Sequence, residues 1–409
     1  MKIPYKHQQK FINRNPDRAL LVWEMQTGKT FAASLWLNKR KHLRAVVVCP
    51  KAIIGKWKRD LADDGAIADV ISRDDIKKVD LDIYDVIVLD EAQDFASPIY
   101  DRGRSQRTTV LYNYFKKHKE AHVLCLSATP IRSTPWNIHT LAVYLGVYWD
   151  VRQFRDEFFH LTDRFGVMHY EKNKDWRIKI RPYLESISDI VLRRDVIEVP
   201  EEKHEVINIP WTKKQEESLS KQYLEPSAEF NERRRAEQGD AKWEKIKELI
   251  DGYRKVILVV YYRSQIDDYI KRIGDDRQVF VLSGSTKDQN KVIEDAKASD
   301  DSIFILQASM GAGFSAAEFS VMIFASMSYK YVDYIQATGR MNSLVDTHVN
   351  HYVYLLGGKT DRAVYDTIMK GHDFNPHQYL TRGITETDTE KGTESNPSSF
   401  EVVPGELPF

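Results

Sequence analysis

The chain has 409 residues, more than one ordinary core needs, so two α/β domains are expected. Apolar residues make up 42%, enough for packed cores, which excludes a chain disordered throughout. Lys plus Arg and Asp plus Glu both total 60, so overall charge advertises no polyanion, and two cysteines, Cys49 and Cys125, argue against a disulfide framework or a zinc cluster.

The balance hides an asymmetry. From Ile384 to Phe409 six acids face one base, Lys391, which leaves this tail at −5 and the rest of the chain at +5. A mildly positive body suits a polyanion groove without demanding one. The start, MKIPYKHQQK, has no apolar signal region and no apolar run approaches bilayer length, so a cytoplasmic, reducing location is expected.

Four short apolar runs come first: ALLVWEM (19–25), AVVVCP (45–50), VIVLDE (86–91) and HVLCLSAT (122–129). Each ends at a polar or Gly-rich turn, with helical periodicity between runs, which predicts a parallel sheet covered by helices. Ligands of such sheets gather at the carboxyl ends of the strands. From about 135 to 245 the chain is aromatic-rich and then highly charged, read as helices and an interlobe connection. A second set follows: KVILVVYY (255–262), QVFVLSG (278–284), SIFILQAS (302–309), SVMIFAS (320–326) and VNHYVYLL (349–356). The expected architecture is α/β, two RecA-like parallel-sheet lobes with a helical interlobe segment. The expected division is 1–200 for the first lobe and its helical extension, 201–245 for a linker, 246–383 for the second lobe and 384–409 for a disordered acidic tail.

The segment WEMQTGKT follows the first strand and opens a helix, the context of a phosphate-binding loop. Backbone N–H groups of Thr27, Gly28, Lys29 and Thr30 would cradle phosphate oxygens, Lys29 would neutralise the β- and γ-phosphates of ATP, and the Thr30 hydroxyl would ligate Mg²⁺. The pattern GxxxxGK[ST] is imperfect, with Trp23 in place of the first glycine and Gln26 where a glycine is common. About 60 residues later Asp90 and Glu91 end an apolar strand. Asp90 would hold the Mg²⁺ shell and Glu91 would orient and deprotonate the attacking water. Together the two segments imply ATP hydrolysis.

These residues resemble superfamily 2 helicases, and within them Swi/Snf-type DNA translocases in a compact, bacteriophage-like form, from about Lys2 to Leu356. PYKHQ (4–8) is similar to the Q motif, which makes Gln8 the adenine reader; EMQTGKT resembles motif I, VVVCPKAIIGKWKRDL (46–61) motif Ia, DEAQ motif II and LSATP (126–130) motif III. The stretch 191–215 looks like the link such translocases carry between lobes, and QASMGAGFSAAEFSVMIF (307–324) and QATGR (336–340) resemble motifs V and VI. The resemblance implies coupling roles for Gln93, Ser127, Thr129, Gly311, Gly313 and Gln336, and an arginine finger in Arg340. Lys51, Lys56, Trp57 and Lys58 would contact DNA phosphates, although the lysines equally fit a solvated helix face. Where the family has a second arginine, this chain has Ser343.

The implied function is ATP-driven movement on duplex, forked or branched DNA in replication, recombination or repair. The motor subunit of a restriction system and an ATP-gated clamp with weak hydrolysis are the alternatives. The end, Pro408-Phe409, resembles the tip of bacterial single-stranded DNA-binding proteins and is either a protein-partner anchor or part of a tail without one.

Overall fold

The computed structural model describes residues 2–99, 104–132, 134–164, 167–196, 201–210, 239–311, 314–341 and 349–374. Contacts divide the chain into two units, Met1–Val199 and Pro200–Phe409.

In the first unit, α1 (Lys6–Arg14) precedes β1 (Arg18–Trp23), an apolar strand that ends at the phosphate loop. Then come α2 (Lys29–Asn38), β2 (Ala45–Cys49), α3 (Ile54–Asp63), β3 (Asp69–Ser72), β4 (Val86–Asp90), α4 (Gln106–Lys117) and β5 (His122–Ser127). The strands form one sheet in the order β3-β2-β4-β5-β1-β8, in which β8 is Ser188–Val191 and every pairing is parallel. Register sets the site: Asp90 lies opposite Leu126, and Ser127 opposite Val22, so three strands release their polar residues at one edge. One sheet face packs Leu21, Val47, Val88 and Leu124 against Phe11, Trp36 and Trp57 of the first three helices.

The segment after β5 begins with α5 (Trp136–Tyr144), in which all nine residues are buried, and α6 (Val151–Phe158). An antiparallel hairpin follows, β6 (Phe159–Arg164) and β7 (Val167–Lys172), where the sequence reading expected helix. Short helices α7 (Trp176–Lys179) and α8 (Arg181–Ile187) lead back to β8.

In the second unit, β9 (Glu202–Asn208) precedes α9 (Gly239–Asp251), β10 (Lys255–Val260), α10 (Arg263–Ile273), β11 (Gln278–Leu282) and α11 (Gln289–Ala298). β12 (Ser302–Gln307), β13 (Val321–Phe324), α12 (Tyr331–Thr338), β14 (Asn350–Leu356) and α13 (Lys359–Met369) complete it. The sheet order is β11-β12-β10-β13-β14-β9, again parallel throughout. Alternate residues of β10 face opposite cores: Ile257 and Val259 one, Val256, Leu258 and Val260 the other.

Two expected boundaries move. Residues 202–208 are an edge strand paired to β14, not a connection, because parallel pairing satisfies their backbone groups. The boundary expected at 245/246 falls inside α9, whose Trp243, Ile246 and Ile250 pack on the second sheet. The rest of the linker, 211–238, and the tail after 374 lie outside the described residues. No helix among the described residues is long and apolar enough to cross a membrane.

Candidate active site

The loop expected to bind phosphate, between β1 and α2, is held by α1. Gly28 takes φ +81° at the start of α2, and a Cβ there would stand 2.2 Å from Gln8 Nε2. Conformation favours glycine here, and a larger residue would also push the Gln8 amide off the loop. Gln8 is buried; its Nε2 donates to Gly28 O at 3.0 Å, and its Oε1 accepts from Tyr5 N at 2.8 Å. His7 Nε2 lies 2.8 Å from Thr27 O. The structure thus places Gln8, the expected adenine reader, against loop backbone. Thr27 Oγ1 donates to Glu24 O at 2.8 Å and tightens the turn. Gln26 sits at φ +64°, the left-handed region that explains why glycine is common there.

Trp23 stands where the pattern has its first glycine because β1 continues through it. Its indole is buried against Phe11 and His7, and Nε1 donates to Asp189 Oδ1 at 2.8 Å. Lys29 Nζ donates to Trp23 O at 2.6 Å and Glu24 O at 3.0 Å. Lys29 and Thr30 open α2, half-buried, where the N–H groups of the helix start and the helix dipole favour phosphate. Glu24 ties the loop to the chain after β8: its N–H donates to Val191 O at 3.0 Å and its Oε2 accepts from Arg193 N at 2.6 Å. Sequence spacing carries no signal for that link.

At the end of β4, Asp90 Oδ1 accepts from Glu91 N at 3.1 Å and Oδ2 from Trp57 Nε1 at 2.7 Å. Burial, and then the Glu91 carboxylate beside it, push the Asp90 carboxyl up to about 6; the Trp57 hydrogen bond and the Lys29 ammonium pull the other way. Glu91 adopts φ +54°, unusual for a residue with a side chain, and starts the single turn Ala92–Phe95. From Glu91 a buried path runs onward. Gln93 Nε2 donates to Glu91 Oε2 at 2.6 Å, Ser127 Oγ donates to Gln93 Oε1 at 2.7 Å, and Thr129 N donates to Ser127 Oγ at 3.0 Å. The structure thereby brings together Glu91, Gln93, Ser127 and Thr129, the last three of which were expected to have coupling roles.

Trp57 is a correction. It was expected to contact DNA, yet it is 1% exposed and spends its N–H on Asp90. Ile53, which caps α3, and Trp57 and Leu61 within it recur every four residues and are all buried, the periodic signal that identifies Trp57 as core. Lys51, Lys56 and Lys58 are exposed, and Lys56 pairs with Asp60 at 2.5 Å.

In the second unit, Gly311 packs against α12, where an added Cβ would meet Ala337 N at 2.8 Å. Gln336 and Arg340 lie at the end of that helix. Arg340 Nε donates to Gln336 O at 2.8 Å and an Nη to Phe314 O at 2.5 Å, while Arg340 O accepts from Ala316 N at 2.9 Å. Gly313 and Ser343 lie outside the described residues, as does the Pro408-Phe409 tip.

The Thr30 hydroxyl and Asp90 carboxylate are hard oxygen donors of the kind Mg²⁺ takes beside phosphate oxygens and water, so the donor set suits that ion.

Residues 241–343 match the family model for the helicase conserved C-terminal domain. No curated protein matches the sequence. A single-substitution variant of Saccharomyces cerevisiae Dbp5, bound to RNA and ADP BeF3, superposes with a TM-score of 0.54 at 13% identity, covering 90% of this chain and 88% of that one. Dbp5 with the same ligands gives 0.53 at 14% identity, covering 90% and 87%. The Sulfolobus solfataricus SWI2/SNF2 ATPase core in complex with dsDNA gives 0.39 at 13% identity, covering 90% and 91%. Identity this low carries the fold alone. The chain is thus built of two RecA-like lobes, and residues 241–343 of the second match the helicase conserved C-terminal domain.

Proposed function

We propose that the chain is an ATP-driven motor that moves on duplex or branched DNA. The observation that carries the reading is the buried path Glu91–Gln93–Ser127–Thr129, which ties the hydrolytic carboxylate to the turn after β5. A carboxylate that only closed a turn needs no such connection; one whose position must follow another event does. In this reading the α2 N-terminus and Lys29 hold the phosphates, and Glu91 orients and deprotonates the attacking water. Mg²⁺, held by Thr30 and Asp90, supplies positive charge against the developing negative charge. Arg340 serves as the transition-state cation from the second lobe.

DNA is preferred over RNA on the resemblance of residues 191–215 to the interlobe link of DNA translocases. The test is an ATPase panel across single-stranded DNA, duplex, fork, four-way junction and RNA, followed by strand displacement on the best activator. The expected result is several-fold stimulation by DNA and loss of turnover in Lys29→Ala and Glu91→Gln. RNA stimulating as well as DNA would reassign the substrate, and full turnover in Lys29→Ala would remove the ATPase reading.

A further inference from the structure

Asp94 sits one residue beyond Gln93, in the turn that carries Glu91, and its N–H donates to Glu91 O at 2.8 Å. Its side chain is only 10% exposed and divides its two oxygens between two arginines. Arg73, the residue after β3, takes Oδ2; Arg132, in the segment after β5, takes Oδ1. One carboxylate is usually matched by one forked guanidinium. Here two guanidinia from different strand ends share it, which leaves an excess of positive charge. Arg107 lies near enough to repel Arg73, although Asp74 pairs with it at 2.5 Å; burial first, and then that repulsion, depress the pKa of Arg73, while Asp74 and Glu91 pull the other way. The arginine side chains are 33% and 40% exposed, against 10% for the anion between them. The buried Arg73 Nε has no hydrogen-bond partner among the described residues.

Resting on the motor reading above, we propose that Arg73 and Arg132 form a receptor for a nucleic-acid phosphodiester, closed in this structure by Asp94. Two guanidinia spaced by a carboxylate are spaced for the paired non-bridging oxygens of a phosphate, the group planar forks recognise best. The site lies at the carboxyl ends of parallel strands, where ligands of such sheets bind. Lys51, exposed after β2, adds a further cation at the carboxyl end of the same sheet, which suits a polymer. A backbone phosphate entering the pair displaces Asp94. Asp94 shares a turn with Glu91 and Gln93, and Glu91 holds an unfavourable left-handed conformation, so the displacement bears directly on the hydrolytic carboxylate. The closed clamp is then a restraint on hydrolysis until a strand is bound.

The test compares full-length protein with Asp94→Asn and with the triple variant Arg73→Gln/Asp94→Asn/Arg132→Gln, which removes the carboxylate together with both of its arginines, each checked by thermal unfolding. Binding of a fluorescein-labelled DNA duplex is followed by anisotropy across a salt series, alongside ATP turnover. Asp94→Asn is expected to bind the duplex several-fold more tightly and to hydrolyse ATP faster without DNA. The triple variant is expected to lose about 1.8 from the slope of log affinity against log salt, the share of two phosphate contacts, and to lose DNA stimulation. Unchanged slope and stimulation in the triple variant overturn the clamp, and that variant decides the matter if Asp94→Asn does not fold. Stimulation of the wild type by inorganic phosphate alone also overturns it, in favour of a small-anion site. A wild type that neither hydrolyses ATP nor binds DNA would instead remove the motor reading.

Discussion

In the proposed mechanism Asp90 meets two demands that oppose each other: burial at the end of β4 and a charge for Mg²⁺. A carboxyl whose pKa rises on folding binds its proton more tightly in the native state, so ionising it costs stability. The cost is absent below its ordinary value near 3.8, grows as pH climbs, and is complete above about 6. Asp90→Asn should therefore raise the Tm of the nucleotide-free protein at neutral pH, do little near pH 4, and abolish ATP turnover throughout. A Tm gain larger near pH 4 than at neutral pH would contradict this. Trp57→Phe keeps the ring in the core and removes the donor to Asp90. It should cost about 1 kcal/mol in a urea melt and raise the Mg²⁺ concentration needed for fluorescent ADP binding. The placement of Gly28 and Lys29 after β1 and of Asp90 and Glu91 at the end of β4 was legible because each pair closes an unbroken apolar run. Trp57 was misread because its lysine neighbours drew it to the surface, while its four-residue spacing with Ile53 and Leu61 pointed inward.

At the scale of elements, legibility followed burial. The strands with unbroken apolar runs were recognisable because both sheet faces are covered. β9, with Glu202, Lys203, His204 and Glu205, hid as linker because an edge strand covers one side only and tolerates charge. The β6–β7 hairpin was missed because its alternation places Leu161, Met168 and Tyr170 on exposed positions, so no core signal marks it. α12 is positioned by contact with Gly311, and backbone atoms there have no side chain that can yield. Gly311→Ala should destabilise the second lobe by ~1–3 kcal/mol and reduce ATP turnover through the displaced Gln336 and Arg340, measured by thermal unfolding and steady-state hydrolysis.

For the whole molecule, each unit has its own core, so residues 1–199 produced alone should unfold cooperatively. In the second unit the buried Lys242–Asp361 pair, at 2.6 Å, bridges α9 and α13. Lys242→Met should cost roughly 3–5 kcal/mol by stranding Asp361, and Lys242→Met/Asp361→Leu should recover most of it in a denaturant melt. A second unit begun at 211 should be less stable than one begun at 200, because only the longer one contains β9. That strand also sets an order of events during synthesis. The first sheet has all its strands once Val191 has left the ribosome, and domains fold as they emerge. The second cannot close so early: β9 is made first but pairs with β14, which is made last, Glu202 against Asn350 and Asn208 against Leu356. The nascent chain therefore carries a finished first lobe beside an unpaired strand for as long as the second lobe takes to translate, and that interval is when its unpaired edge is most open to chaperones and to misassembly.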